Sequence, residues 1–183
     1  DAFIDTDPHK ISWSRGLKQE LRKGRRHDFG EGRLAVSMYR PFCKQWLYVH
    51  RVFIEEMSKM PRLFPDESAR NQAIVVTGRG ASKDFSALMV DVIPNLDLQD
   101  KGQVFPRYHY TSDATGRPIR EDAVTDGALR VFRERYGNTV TKDDIFYYVY
   151  GALHEPTYRR RFADDLRKSL PRIPLAEKPE DFW

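Results

Sequence analysis

Cysteine is nearly absent: Cys43 stands alone among 183 residues. One thiol excludes an intramolecular disulfide and any paired-cysteine zinc site, and it suits a reducing, cytoplasmic setting. A lone cysteine of this kind is expected as a small buried hydrophobe rather than a nucleophile. Long apolar runs are missing as well. None approaches the roughly 18 residues that a membrane span needs, so no membrane partner is expected. The first ten residues carry three aspartates and no apolar core, unlike a signal peptide. The five histidines (His9, His27, His50, His109, His154) are scattered without HxxxH spacing, and no metal site is expected. There is no phosphate-binding GK[ST] loop; the nearest stretch, TGRGAS at 77–82, has the glycines but not the lysine. Asp91 has no E-x-K partner of the nuclease kind, and PDES at 65–68 follows no apolar strand. No catalytic residue is nominated, and no cofactor is expected for the domain itself.

What is present is a sizeable core and a local excess of positive charge. Hydrophobic residues make up 40% of the chain and aromatics 13%, inconsistent with disorder. Net charge is +4, and its distribution is uneven. Residues 9–27 hold Lys10, Arg15, Lys18, Arg22, Lys23, Arg25 and Arg26 against Glu20 alone, a net of +6, so the remainder nets −2. A dense strip on a nearly neutral body points to a polyanionic partner. The chain begins at Asp1 and is read as a piece of a longer polypeptide.

Periodicity gives the elements. Pro8 punctuates a loose entry. Ser12 is placed to cap a helix on which Trp13, Leu17 and Leu21 form one stripe, fraying at Gly24. GEG at 30–32 makes a turn. RLAVSMYRPF reads as a strand ending before Pro41. KQWLYVHRVFIEEM is strand-like early and open to a helix later. PRLFPDESARNQ is a loop. AIVV at 73–76 is a short, wholly apolar strand, the mark of a central position. FSALMVDVI is another strand, closed by Pro94, and QVFPRYHY is one pushed to an edge by Pro106. Residues 111–123 read as a polar loop. Helices follow: Leu129, Phe132 and Tyr136 with a stop at Gly137, then a Thr141/Asp144 capping box ahead of Ile145, Phe146, Val149 and Leu153. A last helix starts at Pro156 and carries Tyr158, Phe162, Leu166 and Leu170. These predict an α+β fold: a central mixed or antiparallel sheet, an N-terminal basic helix and a C-terminal helical subdomain. The rings between 143 and 175 fall at helical spacing and are read as core, with the arginines between them solvated.

Two kinds of cation stand out. Arg15, Lys18, Arg22, Lys23, Arg25 and Arg26 form the strip suited to phosphates. Arg40, Lys44, Arg79, Lys83 and Arg107 are candidates for base edges or phosphates. Arg79 lies in a glycine turn whose backbone N–H groups suit an anion, and its fork matches a guanine edge. Around Arg40 and Lys44, the rings of Tyr39, Trp46 and Tyr48 are expected to pack in the core.

Five segments occur together in order: KISWSRGLKQELRKGRRHDF, YRPFCKQWLYVHR, AIVVTGRGASKDFSALMVDVIPNLDL, GQVFPRYHY and DDIFYYVYGALHEPTYRRRFADDLRKSLPRIPL. Over residues 8–175 they resemble the C-terminal part of type ISP single-polypeptide restriction–modification enzymes. That resemblance implies a target recognition domain for double-stranded DNA. It directs an adenine methyltransferase and an ATP-dependent helicase–nuclease in the same polypeptide, whose upstream domains are its partners. ATP, Mg and S-adenosylmethionine are implied for that parent. Neither the Asn/Asp-Pro-Pro-Tyr signature nor a Walker A motif is in this chain, so only the domain's role carries over. On this reading residues 1–10 are a linker, 11–122 the recognition core, 123–175 its helical part and 176–183 a tail. TGRGASK, the 95–103 turn and the 111–122 loop are the expected base readers. The alternative is a coupling domain that never reads bases; an independent nuclease is the third reading.

Overall fold

A computed structural model describes residues 4–7, 9–10 and 12–183. Pro8, the punctuation of the expected linker, and Ile11, the first residue of the expected core, lie outside the described residues.

The chain is organised around β3 (Ala73–Val76), four residues all buried. It pairs antiparallel with β4 (Ala87–Val90) on one side and β6 (Gln103–Pro106) on the other. Its side chains alternate between two cores. Ile74 and Val76 meet Ala87, Phe146, Leu153, Tyr158 and Leu166 from the helical part. Ala73 and Val75 meet Met38, Val90 and Leu98 on the opposite face. A strand covered on both faces has no place for a polar residue, which is why AIVV lacks alternation.

The second sheet runs in the order β2-β1-β5. β1 (Arg33–Arg40) and β2 (Cys43–Val49) form a hairpin, and β5 (Ile93–Pro94) adds to β1 in parallel. Ala35, Leu47 and Val49 turn inward onto Leu63, Phe64 and Ile93. After Val49 the chain makes turns rather than a helix, and the expected 61–72 loop opens with a short helix, α2 (Met60–Leu63). The stretch FSALMVDVI is two strands: it breaks at Asp91 and changes sheet, so β5 joins β1 rather than β3. Residues 111–123 are no open loop. β7 (Tyr108–Ser112) and β8 (Pro118–Asp122) form a hairpin with every β8 residue exposed.

Asn71 ties three of these parts together. Its buried amide donates to the carbonyls of Leu63 (2.9 Å) and Tyr108 (2.7 Å) and accepts from the Tyr108 N–H.

The helices largely follow their signals. α1 (Arg15–Arg22) is capped by Ser14, whose hydroxyl accepts from the Leu17 N–H, and not by Ser12. It stops at Gly24 (φ 66°), where Arg25 N–H bonds Glu20 O and Gly24 N–H bonds Leu21 O, a Schellman closure. α3 (Asp126–Tyr136) ends at Gly137, and α4 (Lys142–His154) begins with the reciprocal Thr141/Asp144 box. The expected last helix is two, α5 (Pro156–Arg161) and α6 (Ala163–Lys168), broken at Phe162 (φ −108°, ψ 19°). The break still buries Tyr158 and Leu166 but leaves Leu170 exposed. The expected tail packs: Phe182 is buried and stacks on Tyr136 at 4.5 Å.

Arg107 is 5% exposed and corrects its place among the surface cations. Its Nε donates to Asp143 at the start of α4 and its Nη1 to Asp122 at the end of β8. The guanidinium is consumed in joining the second hairpin to the helices. Arg107→Met should cost about 2–3 kcal/mol, because both carboxylates keep solvent access and are not stranded. The Arg107 hydrogen bond holds the Asp122 carboxyl below its ordinary value, against burial, with the Arg107 and Lys142 charges adding. A depressed carboxyl stabilises the fold above its unfolded pKa, and that stability is lost as pH falls through the folded value. Wild type should therefore lose more stability than Arg107→Met on acidification below about pH 4, read as urea midpoints at neutral pH and pH 3.5.

Candidate nucleic-acid interface

α1 carries the basic strip because its apolar stripe is narrow. Leu17 is buried and Leu21 half-buried, which leaves the other faces to solvent. Part of the strip is internally paired. Arg15 lies 3.8 Å from Glu55, and Lys23 (3.5 Å) and Arg25 (3.3 Å) converge on Glu20. Lys18 and Arg26 have no ion pair among the described residues. Arg22 is exposed. The paired cations remain more than half exposed, and such surface pairs are worth about 0–1 kcal/mol each, so a phosphate can replace the carboxylate. Glu20 itself is less exposed. Burial opposes its ionisation, but its bonds to His27 and Arg25 and the Lys23 charge hold its carboxyl below the ordinary range.

The sequence gives no sign that three metal-competent side chains meet just beyond this strip. His27 Nδ1 is 3.4 Å from Glu31 Oε2, and His50 Nε2 is 3.3 Å from the same oxygen. The histidines are thus less scattered than their spacing implied. One contact decides the chemistry: His50 Nδ1 accepts the Val52 N–H at 3.2 Å. The neutral ring must then carry its proton on Nε2, facing Glu31, where a metal would need a lone pair. As arranged, the trio is a hydrogen-bonded clamp. The His50 bond, then the His27 bond, lower the Glu31 carboxyl. Tyr48 stacks between Phe29 (4.8 Å) and His50 (5.8 Å), and Gly32 permits this because a Cβ there would lie 2.3 Å from the Tyr48 ring.

The β1–β2 hairpin reverses an expectation. Tyr39 and Trp46 do not pack in the core: Trp46 is 75% exposed, and it shares an open face with Leu34 and Val36. Only Tyr48 is part-covered, in its stack. At the tip, Phe42 is 88% exposed and sits at φ 63° in a Pro-Phe turn, where glycine or asparagine is usual. Cys43 beside it is exposed rather than buried. Arg40 lies over the Tyr39 ring at 4.6 Å with no acidic partner among the described residues, whereas Lys44 is paired to Asp91 at 3.0 Å.

The glycine turn is also rearranged. Most of its N–H groups are already bound within the chain, two of them by the Asp100 carboxylate. Asp100 Oδ2 accepts from Ser82 N (2.7 Å), Ser82 Oγ (2.8 Å) and Lys83 N (3.2 Å). Gly78 N–H goes to Asp100 O, and Gly80 N–H to Arg167 O. The Arg79 and Lys83 side chains stay exposed and unpaired among the described residues.

A family model described as the Type ISP C-terminal specificity domain matches residues 1–183. Several solved structures are similar. One is a cryo-EM structure of a DrdV–DNA complex: 33% identity and TM-score 0.82, over 92% of this chain and 16% of that one. A second is a nuclease-deletion mutant of the Type ISP restriction–modification enzyme LlaGI in complex with a DNA substrate mimic: 34%, 0.79, over 99% and 16%. A third is the ATP-dependent Type ISP restriction–modification enzyme LlaBIII bound to DNA: 30%, 0.83, over 97% and 12%. The chain thus spans about an eighth to a sixth of those proteins. No curated protein matches.

Phe42→Asn should raise stability by about 0.5–1 kcal/mol, since asparagine tolerates the left-handed conformation that costs phenylalanine. A urea midpoint that falls instead would mean the ring has an unseen packing role.

Proposed function

Because this chain belongs to the Type ISP C-terminal specificity domain family, we propose that it is the target recognition domain of a longer restriction–modification polypeptide and that its ligand is duplex DNA. The observation that carries this is the likeness, at 30–34% identity over at least 92% of the chain, to three structures that contain DNA or a DNA mimic. The strip on α1 has the chemistry for it. Arg15, Lys18, Arg22, Lys23, Arg25 and Arg26 neutralise phosphates and set register, without reading sequence. Arg40, Arg79, Lys83 and Lys44 are the cations on turns and strand ends from which base edges can be reached. Arg107 is withdrawn from that set by its burial.

The domain forms no bonds on this reading. Methyl transfer to adenine with S-adenosylmethionine, and ATP- and Mg-dependent translocation and cleavage, belong to the rest of the polypeptide, in the cytoplasm. Among the described residues, no helix is long and apolar enough to cross a membrane. The open face of Leu34, Val36 and Trp46 is apolar rather than cationic, which suits docking of the upstream domains.

The test is duplex binding by the complete polypeptide across a salt series. Changing Arg22, Lys23, Arg25 and Arg26 together to Ala should make the slope of log affinity against log salt shallower by about 3–4, with the same loss for every sequence. Unchanged binding would remove the strip from the interface. Equal wild-type affinity for all duplexes would favour the coupling reading over target recognition.

A further inference from the structure

A second set of cations lies away from the basic helix, in a groove of about 600 Å³ between the 77–84 turn and the segment that follows α6. Arg79, Lys101 and Arg172 line it, with Gln103 and Ser169 as neutral hydrogen-bonding groups. Arg79 was named as a candidate, and Lys101 lies in the 95–103 turn expected to read bases. Arg172 is brought to them by the fold.

Each cation rises from a fixed piece of backbone. A Cβ on Gly78 would lie 1.8 Å from Lys101 O, so only glycine lets the two segments pass this closely. Lys101 itself holds φ 51°, a conformation that lysine rarely adopts, and its Nζ donates to Gly80 O at 2.6 Å. Gly80, at φ 68°, completes the turn that projects Arg79. Arg172 is pinned through its carbonyl, which accepts from the hydroxyl of the buried Tyr158 at 3.0 Å. An Arg167–Asp84 ion pair of 2.6 Å clips the turn to the end of α6.

The acids nearby are already committed. Asp100 accepts three bonds from residues 82 and 83, and Asp84 holds Arg167. Arg79 and Arg172 have no ion pair among the described residues. Two guanidinium groups without an ion pair among the described residues and an ammonium line this one groove and suit an anion. We propose that this groove holds a backbone phosphate of the bound duplex, contacted by Arg79, Arg172 and Lys101, and that it is a second clamp independent of α1. The proposal rests on the reading of the domain as a duplex binder. Of the two roles open to Arg79, base edge or phosphate, it takes the phosphate.

The experiment uses the complete polypeptide carrying this chain, with Arg79→Ala, Arg172→Ala, the double variant, and Lys101→Gly, which removes the charge while relieving its φ. Each single change should flatten the salt slope by about one and weaken all sequences alike. Duplexes with one phosphate replaced by a neutral methylphosphonate locate the contact. Wild type should lose affinity at one backbone position, and the double variant should be indifferent to it. Three results would overturn the proposal while wild type still binds DNA: unchanged slopes, a loss confined to one base pair, or unchanged DNA binding with domains that come apart on limited proteolysis. Failure of wild type to bind any duplex would instead overturn the reading on which it rests.

Discussion

Everything in this fold hangs on β3 being buried from both sides. Four residues give each layer its partner: Ile74 and Val76 to the helices, Ala73 and Val75 to the hairpin sheet and Leu98. A strand covered on both faces cannot slip by one residue without exchanging its two cores. Its register therefore fixes the positions of the segments leaving its ends, including the 77–84 turn. A single polar substitution in Ala73–Val76 would disturb the core its side chain enters, Ile74 and Val76 the helical one, Ala73 and Val75 the other, whereas changes on the outer hairpin face or on α1 disturb neither.

Charge is handled differently inside and outside. Arg107 is spent structurally, with both carboxylates in place and little exposure. Arg15, Lys23 and Arg25 in the basic strip are held by pairs too exposed to be worth much, which leaves them exchangeable. Glu20 gathers Lys23, Arg25 and His27 at one point and so keeps the strip ordered while costing it only one unit of charge. The same logic holds at the glycine turn. There a resident carboxylate, Asp100, satisfies two of the backbone amides, and the side-chain cations face outward.

Much of the architecture was legible in the sequence because it follows local rules. The AIVV run, the Pro41 stop, the Gly24 and Gly137 stops, the Thr141/Asp144 box and the basic strip all appear where the residues put them. What was not legible depended on distant contacts. Ser14 and Ser12 are equivalent as caps until Leu17 chooses its face. β7–β8 looked like a loop because all five β8 residues face solvent, so no apolar alternation marks it. The helix that should run on from Pro156 breaks at Phe162, although the spacing by fours continues. Arg107 looked like a surface cation because its two acids lie 15 and 36 residues away. Trp46 looked like core because large rings usually are; nothing local says that its side of the hairpin has no cover. The groove cations come from three separated segments, and no single stretch contains more than one of them.

The hairpin tip has a practical consequence. Cys43 is the chain's one thiol, it is open to solvent, and it adjoins Phe42, the most exposed large apolar side chain among the described residues. A maleimide dye would attach there and nowhere else on this domain, reporting on whatever approaches that corner without any engineered substitution. Left without reductant, the same thiol can join two molecules tip to tip, so a covalent dimer in aged samples would be a product of air rather than of biology.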